Sequence, residues 1–188
     1  MARLRYQTSD GSVADRIRLR RGGELTPLDR MLLHSPPIAD GWNNFLGAIR
    51  SHALLADDLR ELVTLRVAML NDAAYEWNAH EPLARKAGLT QANIRALRGT
   101  APLSGLSDRY RAVCEYTDAM TRTVEVPPHL FAAVKGHLSD REVVELTATI
   151  AAYNLVSRFL VALEIDVALE IDMEASAEIR MTSEMNHD

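Results

Sequence analysis

The chain is poor in residues on which several classes of protein depend. Its 188 residues include one cysteine, Cys114, which excludes an internal disulfide framework and any chemistry that needs two thiols in one chain. Aromatic residues make up only 5%, too few to predict a platform that stacks nucleic-acid bases. No window approaches the ~18 consecutive apolar residues that a membrane span requires. The opening stretch MARLRYQTSD lacks the apolar core of a secretory signal, so we expect a cytoplasmic protein.

Positive charge is also scarce. The 26 acidic and 21 basic residues give a formal net charge of −5, whereas a general nucleic-acid binder shows a basic patch and a high isoelectric point. The basic run RIRLRR has no interleaved aromatic residue and is typical of an exposed amphipathic segment. Hydrophobic residues make up 47%, enough for a sizeable core. We therefore expect one globular domain, or at most two small ones, that binds neither nucleic acid nor a membrane.

The spacing of apolar residues favours an all-α fold. No segment alternates at a period of two between turn signals, whereas many segments repeat at helical spacing, and about eight helices are expected. Pro27 opens a helix after its cap Thr26, and Gly88 ends another as a left-handed cap. Ser139 begins the last long helix with a capping box. Pro82 falls inside a helical segment and predicts a bend or a local break there.

Three ionisable side chains lie among apolar neighbours and are candidates for chemistry. Glu61 interrupts LRELVTLRVAML, a stretch apolar enough to predict a helix buried on most sides. Glu76 and His80 are four residues apart, so they share one helix face and can touch. A partly buried carboxylate beside an imidazole forms a proton-transfer pair, because the carboxylate fixes the tautomer of the ring. The alternative is a solvated or structural pair, which we expect for Glu81 and Arg85.

A metal site is a third possibility for Glu76 and His80, because a carboxylate and an imidazole at this spacing can share an ion. Such a site needs a third ligand, and the remaining histidines show no ligand spacing: His34, His52, His129 and His137. We therefore expect neither a metal ion nor another cofactor.

The residues around these three side chains resemble a known family. The sequence from LLHSPPIADGWNNF through LRELVTLRVAMLNDAAYEWNAHEPLARKAGL resembles the carboxymuconolactone decarboxylase family, within the alkylhydroperoxidase-D-like superfamily. The resemblance is clear over 28–97 and extends through REVVELTATIAAYNLVSRFL. It implies an alkylhydroperoxidase-D-like helical bundle that forms a homotrimer or homohexamer. It also implies an N-terminal extension with one helix at 1–25, the family domain at 26–169 and a C-terminal tail at 170–188.

This chain departs from the superfamily's active-site pattern at both cysteines. The pattern is E-x11-C-x2-C-x3-H, and Glu61 and His80 occupy its first and last positions. Ala73 and Glu76 stand where the cysteines would be, so the chain lacks the thiols that peroxidase members use for attack and resolution. The resemblance then implies the non-thiol branch, whose members act without a cofactor on carboxylated lactones or related keto acids.

The expected function is a cofactor-free, decarboxylase-type lyase of aromatic compound catabolism, acting on a carboxylated lactone or keto acid. His80 is the expected acid/base, Glu76 its orienting and pKa-raising partner, and Glu61 a second relay. Arg66 and Arg158 are candidate cations for an anionic substrate, although each is more typical of a structural ion-pair partner. Three aromatic residues are expected to wall the pocket: Trp42, Tyr75 and Trp77. The alternatives are a thiol-dependent alkylhydroperoxidase, which the missing cysteines disfavour, and a non-catalytic helical oligomer that binds a small molecule.

The purified protein should show no peroxide turnover above background with dithiol reductants, because positions 73 and 76 carry no sulfur. Peroxide consumption, measured alongside a thiol titration, checks this expectation. Cys114→Ser is the matched control and should behave like the wild type. Robust turnover that disappears in this variant would revive the antioxidant alternative.

Overall fold

The computed structural model describes residues 2–7 and 11–165. These residues form nine α-helices and one short 3-10 helix and contain no strand, which confirms the all-α prediction for this part of the chain. The predicted tail at 170–188 lies outside the described residues. The helices are α1 Ser12–Arg21, α2 Pro27–Leu32, α3 Pro36–Ser51, α4 Asp57–Leu70, α5 Ala74–Lys86, α6 Gln91–Leu97, α7 Asp108–Arg122, α8 Pro128–Lys135 and α9 Asp140–Leu163, with the 3-10 helix at Leu103–Gly105.

The chain divides into two compact units. Among the described residues, the first unit contains those up to Asn43 together with 163–165, and the second contains 44–162. Helices α3 and α9 contribute residues to both units. The predicted domain boundaries after residues 25 and 169 remain predictions.

In the first unit, a buried carboxylate links the end of α1 to the start of α2. Asp29 is buried and accepts hydrogen bonds from the backbone N–H and the hydroxyl of Thr26 at 3.0 and 2.8 Å. Its own N–H donates to the Thr26 hydroxyl, which completes a capping box with Pro27 in the first turn and confirms the predicted start. Arg21, in the last turn of α1, forms an ion pair with the same carboxylate, so the buried charge is compensated.

Helix α4 is the central element of the second unit. Its residues 61–68 are all buried, which confirms the prediction of a helix enclosed on most sides. It packs against both α5 and α7. Full burial of a leucine side chain stabilises the fold by about 1.5–3 kcal/mol, and α4 buries three completely: Leu59, Leu62 and Leu65. Any ionisable side chain on this stretch must find its hydrogen-bond partners inside the protein.

Helix α5 follows α4 after a short turn in which Asp72 has a φ of 56°. Aspartate is one of the few residues that tolerate this left-handed conformation. The helix continues through Pro82 to Lys86, so the predicted local break is absent. A proline has no backbone N–H, so the carbonyl of Asn78, four residues earlier, loses its usual hydrogen-bond donor. Pro82 and Asn78 are both exposed. Gly88 has a φ of 100° just after the helix, as predicted.

Helix α9 begins at the predicted capping box. The backbone N–H and hydroxyl of Ser139 donate to Glu142 at 2.9 and 2.7 Å, and the N–H of Glu142 donates to the Ser139 hydroxyl. By length and composition α9 could cross a membrane, since 18 of its residues have a mean hydropathy of 1.5. However, 44% of that stretch is buried against the rest of the protein, and core helices of globular proteins have the same composition.

Val124, between α7 and α8, has a φ of 68° and is 83% exposed. A β-branched side chain is strained in this left-handed region, and exposure gives no compensating burial. Val124→Asn should therefore raise the free energy of unfolding by about 0.5–1 kcal/mol, because asparagine tolerates the conformation. Urea unfolding measures the change, and Val124→Ile, which keeps the β-branch, should show no gain. Equal stability of the two variants would contradict the prediction.

Candidate active site

Four helices of the second unit bring five polar side chains to one site. Glu61 comes from α4, Glu76 and His80 come from α5, and the other two are Arg50 in the last turn of α3 and Tyr153 on α9. Glu61 and Glu76 are 3% and 2% exposed, whereas the side chain of His80 keeps 13% of its surface exposed. The two carboxyl groups and the Tyr153 ring are therefore buried, whereas the imidazole keeps some contact with solvent.

Glu61 is the carboxylate that holds His80. Nδ1 of His80 lies 2.7 Å from Oε2 of Glu61. Because an ionised carboxylate only accepts, the ring donates its Nδ1–H, and Nε2 is the ring nitrogen that Glu61 does not contact. The other oxygen of Glu61 lies 3.4 Å from Nε of Arg60, which also pairs with Asp57 at 2.7 Å. One hydrogen bond and one ion pair thus compensate the burial of the Glu61 charge.

Glu76 is not the hydrogen-bond partner of His80, so the predicted pairing of these two side chains is wrong. Both carboxyl oxygens of Glu76 are buried and have no hydrogen-bond partner among the described residues. The helical spacing does put the two residues on one face of α5, but the packing of α5 on α4 brings Glu61 to the imidazole. Sequence spacing within one helix could not reveal this competitor on another helix.

The environment of Glu76 favours its neutral form. Burial raises the pKa of Glu76 well above its ordinary value of 4.5, and the positive charge of Arg50 opposes the rise without cancelling it. A carboxyl group that keeps its proton toward neutral pH is a general acid, whereas Glu61 accepts a hydrogen bond as a carboxylate. The two glutamates of the site therefore differ in their surroundings. Glu61 forms a hydrogen bond with His80, whereas Glu76 has no hydrogen-bond partner among the described residues.

Tyr153 and Arg50 were not predicted. The ring of Tyr153 stands edge-on to the imidazole of His80, with centroids 5.3 Å apart at an angle of 86°. Its hydroxyl accepts a hydrogen bond from Nε of Arg50 at 3.4 Å. Burial raises the pKa of Tyr153, Arg50 opposes this rise, and the charges of Glu61 and Glu76 add to it. A tyrosine in the apolar run TIAAYNLV was an available signal for Tyr153, whereas an arginine in the last turn of a helix normally indicates only a favourable helix-dipole contact.

The two arginines predicted as substrate-binding cations have other partners. Arg66 is buried, donates to both carboxylate oxygens of Asp118 on α7 at 2.6 and 2.5 Å, and donates to the carbonyl of Leu97 at 3.1 Å. It lies five residues after Glu61, about 140° around α4, which turns it toward α7. Arg158 is exposed and donates to the carbonyl and side-chain oxygens of Asn154 on its own helix. Both arginines act as structural partners in the described residues.

Trp77, predicted to wall the pocket, belongs to a separate cluster of charged side chains. Its indole N–H donates to Glu81 at 2.6 Å, and the guanidinium of Arg98 lies 4.6 Å from the centre of its ring. Glu81 also pairs with Arg85 at 2.7 Å and with Arg98 at 2.9 Å, which confirms the predicted pair of Glu81 and Arg85. Trp77 therefore stabilises the outer side of α5 through its polar edge and its ring face.

Two further residues predicted for the pocket, and the lone thiol, are characterised by their burial. Tyr75 is buried on α5, and Trp42 is half-buried on the part of α3 that belongs to the first unit. The pocket role of both residues remains a prediction. Cys114 is buried on α7, and this burial raises its pKa to about 12, so the group is a thiol at neutral pH. Among the described residues, no group of three or more His, Cys, Asp or Glu side chains is placed to hold a metal ion.

Comparison with known sequences shows a family to which part of the chain is similar. Residues 36–119 match the sequence profile of the carboxymuconolactone decarboxylase family. The match covers less than half of the chain, and over this segment the chain is similar to the family. A relative in Bacillus subtilis, the uncharacterized protein YdfG, is 28% identical over 106 residues, which cover 55% of this chain and 72% of that protein.

Solved structures share the fold. One is a protein of unknown function from Agrobacterium tumefaciens, suggested to be an antioxidant defence protein AhpD. It is 24% identical with a TM-score of 0.66, and the match covers 72% of this chain and 94% of that chain. A peroxidase-related protein from Silicibacter sp. TM1040 is 15% identical with a TM-score of 0.71, covering 88% and 91%. A variant of the debrominase Bmp8 in complex with 2,3,4-tribromopyrrole is 14% identical with a TM-score of 0.67, covering 87% and 88%. At these identities the likeness shows the fold alone.

The raised pKa of Glu76 predicts a pH-dependent stability. Below about 4.5 the carboxyl group is protonated in both the folded and the unfolded chain, so its protonation favours neither state. Above that value the unfolded chain releases a proton that the folded chain retains. The free energy of unfolding should then fall with rising pH by up to about 1.4 kcal/mol per pH unit from this group, until the pH passes the folded-state pKa.

Glu76→Gln removes this titration, so the variant should gain stability relative to the wild type between about pH 5 and about pH 8. Urea unfolding at both pH values measures the difference. Glu81→Gln is the matched control on the same helix. The pKa of Glu81 is lowered, chiefly by the hydrogen bond from Arg85, so its effect falls below pH 5 and its difference from the wild type should stay constant. A constant difference for Glu76→Gln as well would contradict the prediction.

Proposed function

We propose that the protein is a cofactor-free decarboxylase-type lyase that acts by general acid–base chemistry on a carboxylated lactone or keto acid. The observation that carries the proposal is the contrast between two buried glutamates around one imidazole. Glu61 is a hydrogen-bonded carboxylate that orients His80, and Glu76 is a carboxyl group whose pKa is raised by burial. Two groups whose surroundings give them different affinities for a proton can serve as the acid and the base of one reaction.

The chemistry requires a proton donor more than any other group. Loss of CO2 breaks a carbon–carbon bond, and a conjugated carbonyl of the substrate takes up the electron pair as a dienolate. Glu76 then gives its proton to the substrate carbon, which forms the new C–H bond. His80 returns a proton from solvent to the site through Nε2, while Glu61 keeps the ring oriented and stabilises its charged form. The buried setting favours a transition state in which the negative charge is dispersed.

The positions that carry thiols in peroxidase members support a reaction without sulfur. Ala73 and Glu76 occupy these positions, and the single cysteine is buried with its pKa raised to about 12. Several structural neighbours are named for antioxidant or peroxidase chemistry. Each name describes that neighbour and does not carry over to this chain. For this chain, a carboxylic acid at the second thiol position favours proton transfer over thiol exchange.

Glu76→Gln and His80→Ala should each lower kcat by about 10²–10⁴-fold, the range typical of general acid–base groups. The double variant should be little worse than either single one, because residues that act as a unit are not additive. The measurement is CO2 release from a panel of unsaturated lactone carboxylates and β-keto acids, with thermal melts on the same samples.

Glu81→Gln is again the control, since it removes a carboxylate from α5 without changing the group around His80, and it should keep near wild-type turnover. If Glu76 and His80 were structural only, their variants would lose thermal stability while turnover per folded molecule stayed unchanged. That outcome would refute the proposal.

A further inference from the structure

We propose that a second copy of this chain covers the outer face of α9, and that the two α9 helices pack antiparallel about a two-fold axis at Ala151. The outer face is a row of five residues at alternating steps of four and three: Val144, Ala148, Ala151, Leu155 and Arg158. This spacing puts side chains in one stripe along a helix and is typical of helices that pack in pairs. The inference concerns assembly and is independent of the proposed function.

The outer face is apolar over most of its length and lies open to solvent in the single chain. Val144 is 67% exposed and Leu155 is 49% exposed, whereas Leu146 and Ile150 on the opposite face of α9 are completely buried. The row extends over more than half of a 24-residue helix. A continuous exposed apolar surface of this kind is typical of an interaction site.

A groove of about 650 Å³ lies beside the first half of the outer face and belongs to the same compact unit. Tyr116 of α7 and the half-exposed Phe131 of α8 line it, together with Thr147 and its neighbours on α9. In an antiparallel pair centred on residue 151, residue 155 of one chain lies opposite residue 147 of the other. The partner's Leu155 then inserts into this groove as a knob enters a hole.

The charges of α9 favour the antiparallel direction. Its residues 140–145 contain three acids and one base, whereas Arg158 is the only charged residue in the rest of the helix. Antiparallel pairing brings Arg158 opposite Val144 of the other chain, one turn from Asp140, whose side chain is 93% exposed. A parallel pair would instead place the two Arg158 side chains together, and such like-charge contacts are unfavourable.

Both members of this charged pair can form it without losing their present contacts. Asp140 pairs with Lys135 through Oδ1, and its second oxygen can accept from another cation. The bonds of Arg158 within α9 use Nη1, and a guanidinium has further N–H donors. Arg158 also has a long apolar stem, which would cover Val144 while its charged end reaches Asp140.

Small side chains at the centre of the row suit a close crossing of two helices. Ala148 and Ala151 lie at the proposed axis, and small residues let helix axes approach to about 8 Å. A two-fold contact is isologous, so each interaction occurs twice. The pair therefore contains two insertions of Leu155 and two ion pairs between Arg158 and Asp140. Any larger assembly built from it has an even number of chains.

Sedimentation equilibrium of the full chain tests the apolar part of the contact. The wild type should be a dimer, or a larger assembly with an even number of chains, at micromolar concentration. Leu155→Glu should raise the Kd of the pair by about 100-fold or more, because it would put a carboxylate into an apolar groove twice. Leu83→Glu changes a leucine of similar exposure, 47%, on α5 and is the matched control that should keep the wild-type mass. Thermal melts establish that both variants fold.

A charge exchange tests the direction of packing. Arg158→Glu and Asp140→Arg should each raise the Kd of the pair by about tenfold or more, because each variant alone would face its own charge twice. An equimolar mixture of the two variants should associate with nearly wild-type affinity, since both ion pairs are then restored with reversed sign. A mixture that associates no more tightly than the separate variants would overturn the antiparallel arrangement.

Cross-linking locates the axis. Ala151→Cys should form a disulfide between two chains under mild oxidation with copper phenanthroline, because residue 151 meets its own copy. Val161→Cys should form little, because antiparallel packing separates its two copies by about 30 Å. Equal cross-linking of the two variants would indicate parallel helices and overturn the inference.

Three further results would overturn it: a monomeric wild type, a wild-type trimer, or a folded Leu155→Glu variant with the wild-type mass and affinity. A monomer that sediments with vesicles of anionic phospholipid would assign the outer face to a membrane instead.

Discussion

The hydrogen bond between Glu61 and His80 is the interaction on which the rest of the site depends. Glu61 lies on a stretch of α4 that is buried throughout, where a carboxylate without donors would cost several kcal/mol. The Nδ1–H of His80 donates a hydrogen bond to Glu61, and the guanidinium of Arg60 forms an ion pair with it. Because His80 belongs to α5, the same bond also fixes the register of α5 against α4. The position of Glu76, one turn earlier on α5, follows from that register.

Glu76 shows how this architecture separates two identical side chains. Glu61 has donors inside the protein and accepts a hydrogen bond from the imidazole, whereas Glu76 has none among the described residues and its pKa is raised by burial. An apolar residue at position 76 would pack there without that desolvation cost. Natural proteins tolerate such local costs mainly where the group has a function. The contrast between the two glutamates is therefore the observation that most supports the proposed function.

The helices were predictable because their signals are local. Apolar spacing, the Thr26 and Ser139 caps and the left-handed Gly88 depend on neighbours within a few residues, and the structure has each of them. Pro82 was less informative, because an exposed position near the end of a helix lets the chain continue through a proline. About eight helices were expected and the described residues form nine α-helices, a difference within what local signals can resolve.

The sequence by itself determined the all-α class and the enclosure of α4, and its resemblance to a family pattern selected Glu61, Glu76 and His80 as candidate site residues. Tertiary structure decided which of them touch: packing of α5 on α4 placed His80 against Glu61 and left Glu76 with no donor in the part of the chain that the structure describes. It also brought Arg50 and Tyr153, 103 residues apart, into contact. Spacing rules describe one helix at a time, whereas a site built from four helices depends on contacts between residues distant in sequence, which are set by how the helices pack.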